Sequence, residues 1–176
     1  MICVPTGITE VEKRAVVDAA LEAGAKDTFL VDEPYAAAIG AGLPISAPTG
    51  NFIVDIGGGT TNIALISLSG IVASRTIPFA GDKMDEAIRT YVEKKYGLQI
   101  GLRIAEMIKM KSGSADLKES VYYKKQEVKG RNCASGLPEK VTVAPQDISF
   151  AIQPVLHAIV EAVISVLEQV PPEIAA

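Results

Sequence analysis

Apolar positions along the chain follow two spacings, which together predict an α/β protein. Short apolar runs predict β-strands, and longer stretches with an apolar residue at every third or fourth position predict helices. We expect strands near 2–5, 28–31, 51–56, 62–68 and 71–78, and helices over 9–23, 34–39, 81–96 and 101–111.

Two sequence signals support the first helices. Thr9 is followed by Glu12, which is the spacing of a capping box, and small apolar residues such as Ala15 and Ala19 then recur on one helical face. Pro34 begins a helix that is mostly alanine, and such thin helices pack close to their neighbours. We expect both helices to pack on one face of a single sheet that contains all five strands.

The second half of the chain predicts a hairpin followed by a long helix. Residues 118–129 are polar and rich in β-forming residues, so we expect one strand of the hairpin there, a long turn over 130–139, and the partner strand over 140–143. Helical spacing of apolar residues then begins near Pro145. Pro154 is expected to interrupt this helix, because proline lacks an N–H group and clashes with the preceding turn.

Between two apolar runs, residues 55–61 read Asp-Ile-Gly-Gly-Gly-Thr-Thr. Three consecutive glycines carry no Cβ atoms, so backbone N–H groups can converge on an anion. The Asp55 carboxylate stands where a phosphate-bound Mg²⁺ takes a ligand, directly or through water. On these residues alone, a glycine-rich hairpin without a ligand is an equal alternative. A Walker P-loop is excluded, because no Gly-Lys-Ser/Thr follows and the next element is a strand.

Three other places could carry chemistry, and each has a plainer explanation. Glu33 precedes a proline-started helix, where it can face a cleft or simply favour the helix dipole. Gly81 and Asp82 open a helix whose N–H groups can bind phosphate, or they form an ordinary cap. Glu106 and Lys109 share a helix face, where they can bind one hydroxyl group or pair with each other in solvent.

Composition narrows the function classes. The 176 residues are 48% hydrophobic and 22% charged, with a net charge of −4, and no basic patch predicts nucleic-acid binding. Two cysteines, Cys3 and Cys133, exclude a disulfide framework and suit a reducing cytosol. No apolar run near 18 residues is evident, so we expect no membrane contact through this segment.

Taken together, the motifs resemble the actin-like ATPase superfamily, and most closely its bacterial MreB/Mbl family. Residues 55–61 are similar to the second phosphate motif of the superfamily, and 32–40 to the segment that bears its water-positioning Glu. Residues 80–85 and 105–109 are similar to helix starts that face the nucleotide. Further similar runs lie at 4–15, 40–44 and 136–138.

The resemblance implies an actin-like (ribonuclease H-like) α/β fold that binds ATP and Mg²⁺, with mixed sheets flanked by helices and a small β-hairpin subdomain. It implies that Asp55 helps to hold the metal through water and that Glu33 orients the attacking water. The other implied nucleotide contacts are Gly57, Gly58, Gly59, Thr60 and Thr61 at the phosphates, Gly81 and Asp82 on the phosphate side, and Glu106 and Lys109 near the ribose.

By the same resemblance, 1–50 is the second half of the first lobe, 51–112 the nucleotide-binding core of the second, 113–145 a small hairpin subdomain and 146–176 a helical return. The first phosphate hairpin of the family and the turn that closes over adenine have no counterpart in the sequence. We therefore expect a central segment of a longer protein, with weak or absent turnover by itself. Asn62 stands where the family pattern leads to an acidic residue.

The implied function is that of a nucleotide-binding segment of a cytoskeletal ATPase, a hydrolase that forms filaments and organises bacterial cell shape and cell-wall synthesis. Alternatives are an assembly module without turnover, a chaperone-type ATPase or a sugar kinase, and the run at 136–138 favours the MreB branch over the last two. The family implies a cytoplasmic, membrane-associated full-length protein. Implied partners are further copies, cell-wall synthesis proteins and membrane-anchored morphogenesis proteins, without nucleic acid.

Overall fold

A computed structural model describes residues 1–170, which belong to two compact units. Unit 1 comprises 1–78 together with the chain from 161 onward, and unit 2 comprises 79–160. The elements in chain order are β1 (Ile2–Val4), α1 (Glu10–Glu22), β2 (Leu30–Asp32), α2 (Glu33–Gly40), β3 (Asn51–Ile56), β4 (Thr61–Ser67), β5 (Gly70–Ile77), α3 (Gly81–Tyr96), β6 (Leu98–Gln99), α4 (Leu102–Ser112), β7 (Gln126–Asn132), β8 (Pro138–Val143) and α5 (Pro145–Leu167).

Unit 1 begins with a parallel pair of strands. Ile2 of β1 lies opposite Leu30 of β2, and α1 forms the crossover between them. The predicted capping box is confirmed, because the Thr9 side chain accepts from the Glu12 backbone N–H while the Glu12 carboxylate accepts from the Thr9 N–H. The box fixes where α1 starts.

The other sheet of unit 1 is the antiparallel meander β3–β4–β5, as the sequence predicted. A two-residue turn, Leu68–Ser69, joins β4 to β5 with both residues at positive φ, which matches a type I′ hairpin turn. The thin helix α2 packs on this sheet, where Ala38, Ala64 and Ile66 form a buried cluster. Alanine allows this close approach of helix and sheet.

The expectation of one five-stranded sheet is wrong. β1 and β2 form their own two-stranded sheet, and only β3, β4 and β5 form the meander. The expected packing of α1 is wrong as well, because none of its residues is buried and Val11 is 79% exposed. The face of α1 that was expected to pack includes Ala15, Ala19 and Ala20, whose single methyl groups provide little area to drive burial.

Unit 2 has a hydrophobic core between helices and a small sheet. β6, β7 and β8 form an antiparallel sheet, and Gly97, in the left-handed conformation, ends α3 directly before β6. The core includes buried residues from three helices and this sheet: Ile88, Val92, Leu98, Ile108, Val128, Val143, Ile148 and Ile152. The predicted hairpin therefore shares one core with α3, α4 and α5.

Asp147, in the first turn of α5, accepts hydrogen bonds from three side chains of α3. It accepts from the Tyr91 hydroxyl at 3.1 Å and also from Lys95 and Tyr96. The aspartate is 8% exposed, so these donors satisfy a nearly buried charge at a helix N-terminus. The group joins α5 to α3 within unit 2.

Two local predictions in this half are wrong. The expected bounds of the hairpin are wrong, because Glu119–Tyr122 is a short 3₁₀ helix and β7 runs from Gln126 to Asn132, into the segment expected as a turn. The expected interruption at Pro154 does not occur, since α5 continues through it. Pro154 is exposed and next to buried Val155, so burial of neighbouring residues offsets the hydrogen bond that proline removes.

The sequence was expected to contain no stretch long and apolar enough to span a membrane, but α5 is such a stretch by length and composition. The core helices of soluble proteins can have the same length and composition. Ile148, Ala151 and Ile152 of α5 are buried in the core of unit 2. This helix therefore already has a packing role in the fold.

The two compact units do not follow the four segments expected from the resemblance, since the divisions fall at 78/79 and 160/161. Assignment of those segments to lobes of a longer protein stays a prediction. The last part of the helical return, 171–176, lies outside the described residues.

Candidate functional site

The parallel pair of strands brings two polar residues to one edge of unit 1. The carboxyl ends of parallel strands point the same way, so the residues that follow β1 and β2 meet. These residues are Thr6, just after β1, and Glu33, which directly follows β2 and begins α2. Both side chains are half-buried, so they contact other protein atoms and remain partly accessible to solvent.

A row of three polar side chains crosses the meander near its glycine turn. Asp55 of β3 lies opposite Asn62 of β4, and Asn62 lies opposite Thr76 of β5. Directly opposite residues place their side chains on the same face of a sheet. This is the face that α2 covers, because Asn62 shares it with Ala64 by alternation along β4. The row and the start of α2 therefore meet.

Hydrogen bonds connect this row to the residues that follow β1 and β2. The Asn62 side-chain N–H donates to Glu33 Oε2 at 2.7 Å, and the Thr76 hydroxyl donates to Asn62 Oδ1 at 2.8 Å. The hydroxyls of Thr76 and Thr6 lie 3.1 Å apart. Glu33 is thereby tied to the strand that follows the glycine turn.

The sequence pattern assigns no role to Asn62 and points to neither threonine. A signal was present, because Asn62 is followed by four apolar residues in a strand, and a polar group at such a buried position needs partners. The residue is 2% exposed. Its partners come from far along the chain, so the sequence pattern alone could not identify them.

The glycine turn itself is open to a ligand. The Gly57 N–H donates to the Thr60 carbonyl at 2.9 Å, which closes the turn. Among residues 1–170, the backbone N–H groups of Gly58 and Gly59 have no protein acceptor. A Cβ added at Gly59 would meet nothing within 4 Å. Two exposed backbone donors side by side are a donor set that fits phosphate.

Of the two threonines after the glycines, Thr60 is half-buried and Thr61 is fully buried. Within the part of the chain that the structure describes, no group of three His, Cys, Asp or Glu side chains could hold a metal ion by itself. A Mg²⁺ ion at Asp55 would therefore take most of its ligands from phosphate and water, as this ion commonly does.

The remaining predicted site residues lie in unit 2. Gly81 and Asp82 form the first turn of α3, where N–H groups of the helix lack intrahelical partners. Asp82 and Glu106 line a cavity of about 320 Å³ together with Arg103 of α4. The start of α3 and one face of α4 thus share a polar cavity of a size that suits part of a ligand.

Lys109 does not line this cavity. Its Nζ lies 2.9 Å from Asp85 Oδ1 and donates to the Gly81 carbonyl at 3.0 Å. Glu106 is exposed, whereas Lys109 is half-buried. Glu106 and Lys109 thus lie three residues apart in α4, as expected, but have different surroundings, and the roles of both residues near a ribose stay predictions.

Comparison with known families and curated proteins gives consistent matches. A family model described as MreB/Mbl protein matches residues 1–176. Cell shape-determining protein MreB of Escherichia coli (strain K12) is 50% identical over 175 residues, which are 99% of this chain and 50% of that protein. Cell shape-determining protein Mbl of Bacillus subtilis (strain 168) is 45% identical over 176 residues, with 100% and 52% covered. The chain spans about half the length of the curated relatives it matches.

Solved structures match the fold. MreB5 of Spiroplasma citri bound to AMPPNP has a TM-score of 0.92 and 38% identity, with 98% of this chain and 51% of that chain covered. The same protein bound to ADP also gives 0.92 and 38%, with 98% and 52% covered. A MamK double helical filament gives 0.74 at 24% identity, with 99% and 52% covered, and this likeness concerns the fold alone. These matches confirm the predicted actin-like α/β fold.

Proposed function

Because this chain belongs to the MreB/Mbl family, we propose that it is the nucleotide-binding segment of an actin-like cytoskeletal ATPase. The observation that carries the proposal is the row of Asp55, Asn62 and Thr76 near the open glycine turn, with Glu33 hydrogen-bonded to Asn62. The MreB5 relative, solved with AMPPNP and with ADP, supports the choice of ligand.

When bound, ATP and Mg²⁺ would supply the transferable phosphoryl group and the charge that neutralises it. The N–H groups of Gly58 and Gly59 would bind phosphate oxygens, with Gly57 and Thr60 closing the turn. Asp55 would hold the metal through water. Glu33 would accept a hydrogen bond from the attacking water and so orient it. Phosphoryl transfer depends mostly on such positioning and charge stabilisation.

Residues of unit 2 are proposed as nucleotide contacts on their own evidence. The N–H groups at Gly81 and Asp82 suit the phosphate side, because a helix N-terminus favours anions. Glu106 lines the adjoining cavity and is proposed beside the ribose. Lys109, proposed for the same place, would need to extend from its present contacts with Asp85 and Gly81.

We propose further that the whole protein self-associates into filaments that determine cell shape. The names of the MreB and Mbl relatives and the filament of MamK support this. The proposed location is the cytoplasm, with the membrane association of full-length members of the family, and the proposed partners are cell-wall synthesis and membrane-anchored morphogenesis proteins. An assembly module without turnover is the second candidate, because the chain spans about half the length of its relatives.

The test compares this chain with a chimera in which the flanking segments of the Escherichia coli relative are joined to both ends. Titration with ATP and Mg²⁺ and release of phosphate are measured on both. We expect weak binding without turnover for the 176-residue chain, and binding with turnover for the chimera. A chimera that assembles without releasing phosphate would favour the assembly module. A chimera that neither binds ATP nor assembles would overturn the proposal.

A further inference from the structure

The bonds around Asn62 have a defined direction. A threonine hydroxyl has one proton, and that of Thr76 is directed to Asn62 Oδ1. Thr6 is then the donor in its contact with Thr76, since Thr76 has no second proton to give. The Asn62 amide group, with its oxygen occupied by Thr76, presents its N–H to Glu33. Every donor in the series therefore points toward the carboxylate.

The opposite orientation of the Asn62 amide is unfavourable at both ends. It would place Oδ1 against the Glu33 carboxylate, so two acceptors would face each other at 2.7 Å. It would also oblige Thr76 to accept from the amide and redirect its own proton. Since Asn62 is 2% exposed, water could not compensate for these losses. The amide is thus fixed with its donor toward Glu33.

We propose that Asn62 is a positioning residue for Glu33. Its N–H holds Oε2, so the carboxylate keeps one orientation and Oε1 remains available to a water molecule. The threonine pair strengthens this hold, because successive hydrogen bonds polarise one another. The inference rests on the role proposed above for Glu33, and it assigns Asn62 no contact with nucleotide or metal.

The first test needs no catalysis and uses the 176-residue chain. NMR measures exchange of the Asn62 side-chain amide protons with solvent. We expect exchange in Glu33→Ala to be at least about tenfold faster, since the acceptor is lost. Asn51 is a matched control, because it is a nearly buried asparagine on β3 that donates to the Pro44 and Thr49 carbonyls. Its exchange should not change. Equal exchange of Asn62 in both proteins would overturn the proposal.

The second test separates positioning from a structural role, using the chimera. Asn62→Leu removes the donor, and we expect kcat to fall about tenfold to a hundredfold while KM for ATP changes less than about twofold. Asn51→Leu, at the control site, should leave kcat unchanged. A parent-like kcat in Asn62→Leu, together with a strong loss in Glu33→Ala, would refute the positioning role.

Asn62→Asp gives a pH-dependent version of the same test. The new carboxylate would lie against that of Glu33, and two such groups share a proton as the pH falls. The shared proton restores a donor toward Glu33, so kcat relative to the parent should rise on acidification. Asp32 and Asp55 are the nearest carboxylates by sequence and register, and Asp55, directly opposite position 62, would further favour protonation of the new carboxylate in the variant.

No acid-side recovery in Asn62→Asp, or the same recovery in Asn62→Leu, would overturn the donor role of Asn62. Failure of the proposed function of Glu33 would give a different experimental result. If Glu33→Ala does not lower turnover in the chimera, the proposed role of Glu33 is wrong and the positioning role falls with it. The exchange experiment would in that case report only a structural hydrogen bond between the two residues.

Discussion

Lys109 and Asp85 form an ion pair inside unit 2, with Lys109 Nζ 2.9 Å from Asp85 Oδ1. Asp85 is 7% exposed, and its Oδ1 has no directed hydrogen bond, so the contact is chiefly electrostatic. Lys109 also donates to the Gly81 carbonyl at the start of α3. One ammonium group therefore connects α4 to two positions in the first turns of α3.

We expect Lys109→Met to lower the free energy of unfolding by about 3 kcal/mol, because it leaves the buried Asp85 carboxylate without its cation. Lys83→Met is the matched control. The Lys83–Glu86 pair is as short, at 2.7 Å, but both side chains are over 40% exposed, so a change below about 1 kcal/mol is expected. Urea denaturation measures both, and equal losses would contradict the interpretation.

The stability of unit 2 should depend on pH through Asp147. Burial raises the pKa of Asp147, but hydrogen bonds from Lys95, Tyr96 and Tyr91 together hold that pKa below its ordinary value. A carboxylate with a lowered pKa stabilises the fold above its unfolded pKa, about 3.9. This contribution is lost as the pH falls through the lower, folded pKa.

Asp147→Asn should therefore be less stable than the parent at neutral pH and should lose less of its stability on acidification. The free energy of unfolding, measured in urea between about pH 6 and 2, gives the comparison. Asp18→Asn serves as the control, since the ion pair of Asp18 with Arg14, at 3.7 Å, is exposed. If the free energy of unfolding of Asp147→Asn falls with pH as steeply as that of the parent, groups other than Asp147 cause the loss of stability in acid.

Gly130→Ala should destabilise the sheet of unit 2 by about 1 to 3 kcal/mol. A Cβ at this position would lie 2.4 Å from the Gln99 carbonyl oxygen and 2.8 Å from Leu98 Cγ, so β6 and β7 must separate. Gly40→Ala is the opposite case, within α2 and with nothing inside 4 Å, and it should stabilise by up to about 1 kcal/mol. Thermal unfolding distinguishes the two signs.

Pro154→Ala should stabilise α5 by about 1 to 3 kcal/mol. Alanine restores an N–H donor inside the helix and is the better helix former, and position 154 is exposed, so no packing is lost. Circular dichroism during urea unfolding measures the gain. A loss of stability would indicate that the proline shapes α5 for contacts that its neighbours in the core require.

Glu33 and Asp55 should behave differently in the chimera. Glu33→Ala removes the group proposed to orient water, so turnover should fall about a hundredfold or more while ATP affinity stays nearly unchanged. Asp55→Ala removes a proposed metal contact, so Mg²⁺-dependent ATP binding should weaken as well. Nucleotide titration with and without Mg²⁺, beside phosphate release, separates the two. Identical binding and turnover defects would contradict the division of roles.

The features that the sequence predicted well depend on neighbours within a few residues. The Thr9–Glu12 box, the meander and the end of α3 at Tyr96 are set by local capping, alternation and turn chemistry. The continuation of α5 through Pro154 was not predictable in this way, because burial of adjacent residues outweighs a local penalty. Likewise, the bond between Asn62 and Glu33 depends on two elements that are distant in sequence.

The pairing of Thr6 with Thr76 has a consequence for the order of folding. Hairpins such as β3–β4, where Ile56 pairs with Thr61, close short loops and form early. The β1–β2 pair and the contact of Thr6 with Thr76 must bring together distant parts of unit 1. The meander would then assemble first and the Glu33 carboxylate would gain its partners last. A change in β1 would accordingly slow completion of this region while leaving formation of the meander unaffected.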